Sequence, residues 1–150
     1  MRIVRIISLI ARVALMATMV LGLLHWIAQI PFLSILSQML ALIGLTNIHE
    51  LLGVIGVVFL LVLALVAIFT RGIRLLGAGS AIYSFLVPTF GLTQSQILVG
   101  NLHWLIQIAH LLVGIGAMYL ARGIEKHYQR LKQEKNRQPS PEASAVQVSK

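Results

Sequence analysis

Apolar residues dominate four stretches of the chain, about 10–30, 48–70, 73–90 and 101–121, and the polar positions are bunched between them and after the last. An α-helix needs about 20 apolar residues to cross a hydrocarbon core of roughly 30 Å, so each stretch predicts a transmembrane helix. Pro31 stops the first. Thr46 and Asn47, with Glu50 three residues after Asn47, give a start signal for the second. The third is shorter and rich in small residues (Gly77, Ala78, Gly79, Ser80, Ala81, Ser84), which suits close contact between helices, and carries Pro88 near its end. The fourth follows the polar loop Thr93, Gln94, Ser95, Gln96 and ends at Arg122 and Gly123.

Two weaker patterns complete the reading. Residues 32–43 are apolar but too short to span, with Ser34, Ser37 and Gln38 interrupting them, so they predict a helix in the membrane interface or across the bundle mouth. Residues 126–137 alternate charges at helical spacing and extend the fourth helix. Pro139, Pro141 and small polar residues then end all periodicity, which predicts disorder over 138–150. The expected organisation is a transmembrane domain over 1–121, a helical extension over 122–137 and a tail. The first stretch exceeds a signal-peptide core and lacks a small-x-small cleavage site, so it reads as an anchor.

Charge fixes the expected orientation. The chain of 150 residues is 58% apolar and 11% charged, carries a net +8 and has a mean hydropathy of +0.90, which is membrane-protein composition. Residues 13–70 and 75–121 hold no Lys or Arg, and the pair Arg71 and Arg74 lies between the two ranges. Cations parked at span ends follow the positive-inside rule, whereas a nucleic-acid binder spreads them over a face that tracks phosphates, so no nucleic-acid partner is expected. Arg2, Arg5 and Arg12, the Arg71–Arg74 turn and the basic tail fall on one side, which predicts cytoplasmic termini in a bacterial plasma membrane. The expected fold is an all-α integral membrane up-down four-helix bundle with a cytoplasmic basic helical extension.

Cysteine is absent, which removes disulfides, zinc-thiolate sites, iron-sulfur clusters and covalently attached c-type haem. A carboxylate-bridged di-iron bundle needs several inward Glu, and only Glu50 is available. Met16, Met19, Met39 and Met118 do not converge with the His at ligand-like spacing, which argues against copper transport. Phosphate loops, nucleophile elbows and paired carboxylates are missing as well.

Four His lie in or at the mouth of the spans, and an ionisable group at membrane depth is a functional-site hypothesis. Counted from the predicted outer span ends, His25 lies about 7.5 Å down, and His49 and His103 about 3 Å. His110 follows His103 by seven residues on the same face, about 10 Å deeper. Gly53 and Gly56 follow His49, and Gly114 follows His110, giving notches where a flat ring could approach the backbone. A porphyrin is such a ring, and b-type haem needs two imidazoles from different helices. Depth selects His49 with His103 as axial ligands and leaves His25 and His110 in reserve; the glycine notches favour His49 with His110 instead.

The segments Ile48-His49-Glu50-Leu51-Leu52-Gly53 and Leu102-His103-Trp104 resemble parts of small bacterial four-helix membrane proteins and, more loosely, of the membrane b-type cytochromes, over about 13–121. Di-haem members of the latter place His in an inner and an outer layer. The inner layer is missing here, so the resemblance implies one haem b, exchanging single electrons with quinol or a redox protein on the outer face. Quinone is a second candidate ligand. A match between Gly22-x-Leu24-His25-Trp26-x-x-Gln29-Ile30 and Gly100-x-Leu102-His103-Trp104-x-x-Gln107-Ile108 places similar residues at one outer boundary.

Plainer roles stand beside these. Each His can bridge helices, Trp26 and Trp104 fit an interfacial aromatic belt, and Gln29 and Gln107 fit a polar rim. Glu50 suits the first turn of a helix as well as it suits orienting an imidazole. The alternative function is a haem-free membrane subunit that packs against a larger membrane partner, with its basic extension on anionic lipid.

Overall fold

The computed structural model describes residues 2–28, 34–98, 100 and 102–137. They form α1 (Arg2–Ala28), α2 (Ser34–Leu42), α3 (Leu45–Ile68), α4 (Arg74–Thr93) and α5 (His103–Arg137), with a 3-10 turn at Gln94–Gln96. Gln29, Ile30, Pro31 and the tail 138–150 lie outside the described residues. Helices α1, α3, α4 and α5 are each long and apolar enough to cross a bilayer, and they pack up-down, which is the make-up of an integral membrane protein.

Small side chains decide where these helices meet. Lipid tails are as apolar as leucine, so helices in a bilayer associate through close packing rather than through escape from water. Ala11, Ala64, Ala67, Ala117 and Ala121 are fully buried, and with Leu15, Leu60, Leu63 and Ile124 they make a core towards the end where α1 and α4 begin. Gly77 shows how close α4 comes to α3: a Cβ there would lie 2.5 Å from the Ile68 nitrogen and 2.8 Å from the Ala64 carbonyl oxygen. Larger apolar groups point outward, Leu75 88% and Ile82 71% exposed, where lipid tails are their natural solvent.

The same end carries a polar clamp between α1 and α5. Arg12 Nη2 donates to Glu125 Oε2 at 3.0 Å, the Ser8 hydroxyl donates to the same oxygen at 2.7 Å, and Gln129 Nε2 donates to Oε1 at 3.0 Å. The carboxylate is thereby supplied with three donors in a half-buried setting.

Around the bundle α1 touches α3 and α5, α4 touches α3 and α5, and α3 meets α5 across the diagonal. Among the described residues α1 and α4 make no contact. The alanine end is thus filled and the other end is left with a gap.

Two helix starts differ from the sequence expectation, and both bear on depth. Gly44 takes the left-handed conformation (φ 67°), which a side chain disfavours, so the chain turns there and α3 begins at Leu45 rather than behind Asn47. Leu45 is buried and anchors that start. Helix α5 begins at His103 itself and continues without interruption for 35 residues, about 52 Å, well beyond the roughly 30 Å of a hydrocarbon core. Helix α4 carries Pro88 in its interior and continues past it to Thr93.

Candidate functional site

A cavity of about 400 Å³ fills the gap between α1, α3, α4 and α5, within the roughly 300–1,000 Å³ usual for cofactor and ligand sites. Its walls are mainly apolar: Leu15 and Met19 from α1, Val54 and Val57 from α3, Val87 and Pro88 from α4, and Leu111 and Gly114 from α5. Polar groups join them in His25, Glu50, His49, Gln94, Gln107 and His110. His25 and Glu50 are exposed, whereas His49 and His110 are half-buried.

His49 and His110 come together, with ring centres 6.3 Å apart and planes inclined by 43°. Counted from the helix starts, His49 lies four residues into α3, about 6 Å, and His110 seven residues into α5, about 10 Å. The rings meet despite this difference in count. His103, as the first residue of α5, is not among the cavity-lining residues, although its Nδ1 is buried and has no hydrogen-bond partner among the described residues.

The environment of each ring is specific. His49 Nδ1 lies 2.9 Å from the Thr18 carbonyl oxygen. A carbonyl only accepts, so Nδ1 carries the proton and the neutral ring keeps its lone pair at Nε2. That orientation, with Nδ1–H on a backbone carbonyl and Nε2 available, is how metal-binding imidazoles are held. His110 stacks on Phe90, ring centres 6.0 Å apart and planes 12° from parallel, and its Nδ1 is buried without a hydrogen-bond partner among the described residues.

Glycines admit both rings, though not the ones at helical spacing from the His. A Cβ on Gly22 would sit 2.9 Å from His49 Cε1, and one on Gly91 would sit 3.3 Å from His110 Cε1. Gly53 lines the cavity with Thr18 as its neighbour, Gly114 faces open space, and Gly56 packs against Leu15. Gly22 was visible within the repeated Gly-x-Leu-His-Trp segment. Gly91 was hidden because the third span was expected to end at about Phe90, which put Gly91 in an outer loop.

Among the described residues, no group of three or more His, Asp or Glu is placed to hold a metal ion. A bare zinc or copper ion asks for three or four protein donors, so a two-imidazole site suits a metal that brings its own equatorial ligands. Trp26 lines the cavity, while Trp104 does not and is 48% exposed.

Fold and site together define a small all-α membrane protein with an apolar cavity that holds a pair of imidazoles from facing helices. Comparison with protein-family models, with characterised proteins and with solved structures gives no match.

Proposed function

We propose that the chain is a mono-haem b-type membrane cytochrome in which His49 and His110 would hold the haem iron. The observation that carries this reading is their pairing in the cavity, with Thr18 holding the proton of His49 on Nδ1 and leaving Nε2 for a metal. Bound haem would supply a one-electron iron couple. The residues of the chain do the rest: Thr18 orients one imidazole, Phe90 steadies the other, and Val54, Val57, Val87 and Leu111 exclude water. Glu50, His25, Gln94 and Gln107 add polar groups to the lining beside the two imidazoles, suited to a quinol or the edge of a redox protein. Under the positive-inside rule the cations of Arg2, Arg5, Arg71, Arg74 and α5 support a cytoplasmic position for the opposite end, with the cavity opening on the outer side and α5 projecting inward.

The test is a reduced-minus-oxidised spectrum with a pyridine haemochrome assay on protein purified from haem-replete cells. One b haem per chain is expected, lost in His49→Ala and in His110→Ala and kept in His25→Ala and His103→Ala. Loss in His103→Ala with retention in His110→Ala would transfer the second ligand to His103. A folded protein without haem would overturn the proposal and leave a haem-free subunit of a larger membrane assembly.

A further inference from the structure

At the end of the molecule away from the cavity, α1 and α5 enclose a cleft of about 190 Å³ lined by Arg2, Arg5, Gln129 and Gln133. Arg2 and Arg5 are three residues apart and Gln129 and Gln133 four, so each pair shares one face of its helix. Two guanidinium groups and two carboxamides thus converge from opposite walls.

Among the described residues the cations there have no protein counterion. Among the described residues the one ion pair is Arg12 with Glu125, and that carboxylate already receives donors from Ser8, Arg12 and Gln129. Glu134, the other acid on α5, is exposed and forms no ion pair among the described residues. A guanidinium fork matches the oxygens of a phosphate, and a carboxamide N–H adds a neutral donor. The cleft therefore fits a phosphate monoanion or diester.

What lies beside it selects the kind of phosphate. Ile3 is 72% exposed and Ile6 54%, and Leu9 and Val13 continue this outward apolar strip along α1 into the span. A headgroup in the cleft would have its acyl chains against that strip, whereas a soluble phosphate would leave it unused. Basic pockets at the membrane boundary bind anionic headgroups in this way. We infer that the cleft between α1 and α5 is a site for the headgroup of an anionic glycerophospholipid, held by Arg2, Arg5 and Gln133. This inference does not depend on what fills the cavity.

The test is native mass spectrometry of the full chain released from nanodiscs of mixed phosphatidylglycerol and phosphatidylcholine, with thermal unfolding in the same lipids. A phosphatidylglycerol adduct is expected on the unaltered chain, with a higher midpoint in phosphatidylglycerol than in phosphatidylcholine. The double variant Arg2→Gln, Arg5→Gln should weaken retention by about tenfold or more, at about 1 kcal/mol per cation. Gln133→Leu should weaken it partly, and Arg71→Gln with Arg74→Gln, which removes equal charge elsewhere, should not. Equal loss in that control would overturn the site in favour of diffuse charge. Equal protection by glycerol 3-phosphate alone would overturn the lipid assignment.

Discussion

The imidazole of His49 reaches across Gly22 to the carbonyl of Thr18, four residues earlier on α1, at 2.9 Å. The contact exists because residue 22 has no side chain. It fixes the tautomer of His49 and with it the nitrogen offered to the cavity.

Gly22→Ala should therefore break this arrangement while leaving His49 in place. The added methyl would fall 2.9 Å from Cε1, closer than carbon atoms pack, and the ring must swing off the Thr18 carbonyl. The expected result is a several-fold loss of haem content, or a changed low-spin signal in electron paramagnetic resonance, with helix content unaltered. Gly123→Ala, which has nothing within 4 Å and lies outside the cavity lining, should show neither change. An unaltered spectrum in Gly22→Ala would show that the Thr18 contact does not govern ligation.

Gly77→Ala tests the α3–α4 seam. Its methyl would press on backbone atoms of Ile68 and Ala64, which cannot rotate away. Overpacking of this kind costs about 1–3 kcal/mol, so the thermal midpoint in detergent should fall. Gly79→Ala on the same helix has no neighbour within 4 Å and should not lower the midpoint.

The Arg12–Glu125 pair should couple α1 to α5. Truncating Arg12 to Ala leaves a half-buried carboxylate with two donors instead of three, and hydrogen bonds to charged groups are worth about 1.5–3 kcal/mol. A double-mutant cycle with Glu125→Gln should return a coupling energy of about 1–3 kcal/mol. A coupling near zero would mean that the clamp adds nothing to association of the two helices.

Orientation can be read chemically because the chain has no cysteine. Single variants Gln96→Cys and Lys135→Cys sit at opposite ends of the bundle. In intact cells a membrane-impermeant maleimide should label the first and spare the second until the membrane is permeabilised. The reverse pattern would invert the proposed topology.

The spans were legible because twenty-residue apolar runs have few alternatives in a chain with its charges at the borders. The four His were legible as a set, since nothing else ionisable lies at such depth apart from Glu50. Their partnership was harder to read. It depends on helix offsets of a few residues: α3 starts earlier than its Asn47 signal because Gly44 turns left-handed, and α5 starts later than Asn101, at His103. A shift of two or three residues moves a side chain by about 3–5 Å along a helix, enough to change which ring it meets. The α1–α5 clamp was invisible for a related reason, because Ser8 and Glu125 stand 117 residues apart and no local pattern joins them.

The buried alanines at one end and the gap at the other give the bundle the mechanics of a pair of tongs. Ala11, Ala67, Ala117 and Ala121 form the pivot, and the His49 and His110 rings ride on the arms beyond it. A methyl group added at the pivot would widen the jaws without touching either ring. The spacing of the two rings is thus set from alanines 7 to 18 residues, about 10–27 Å, along the helices from them.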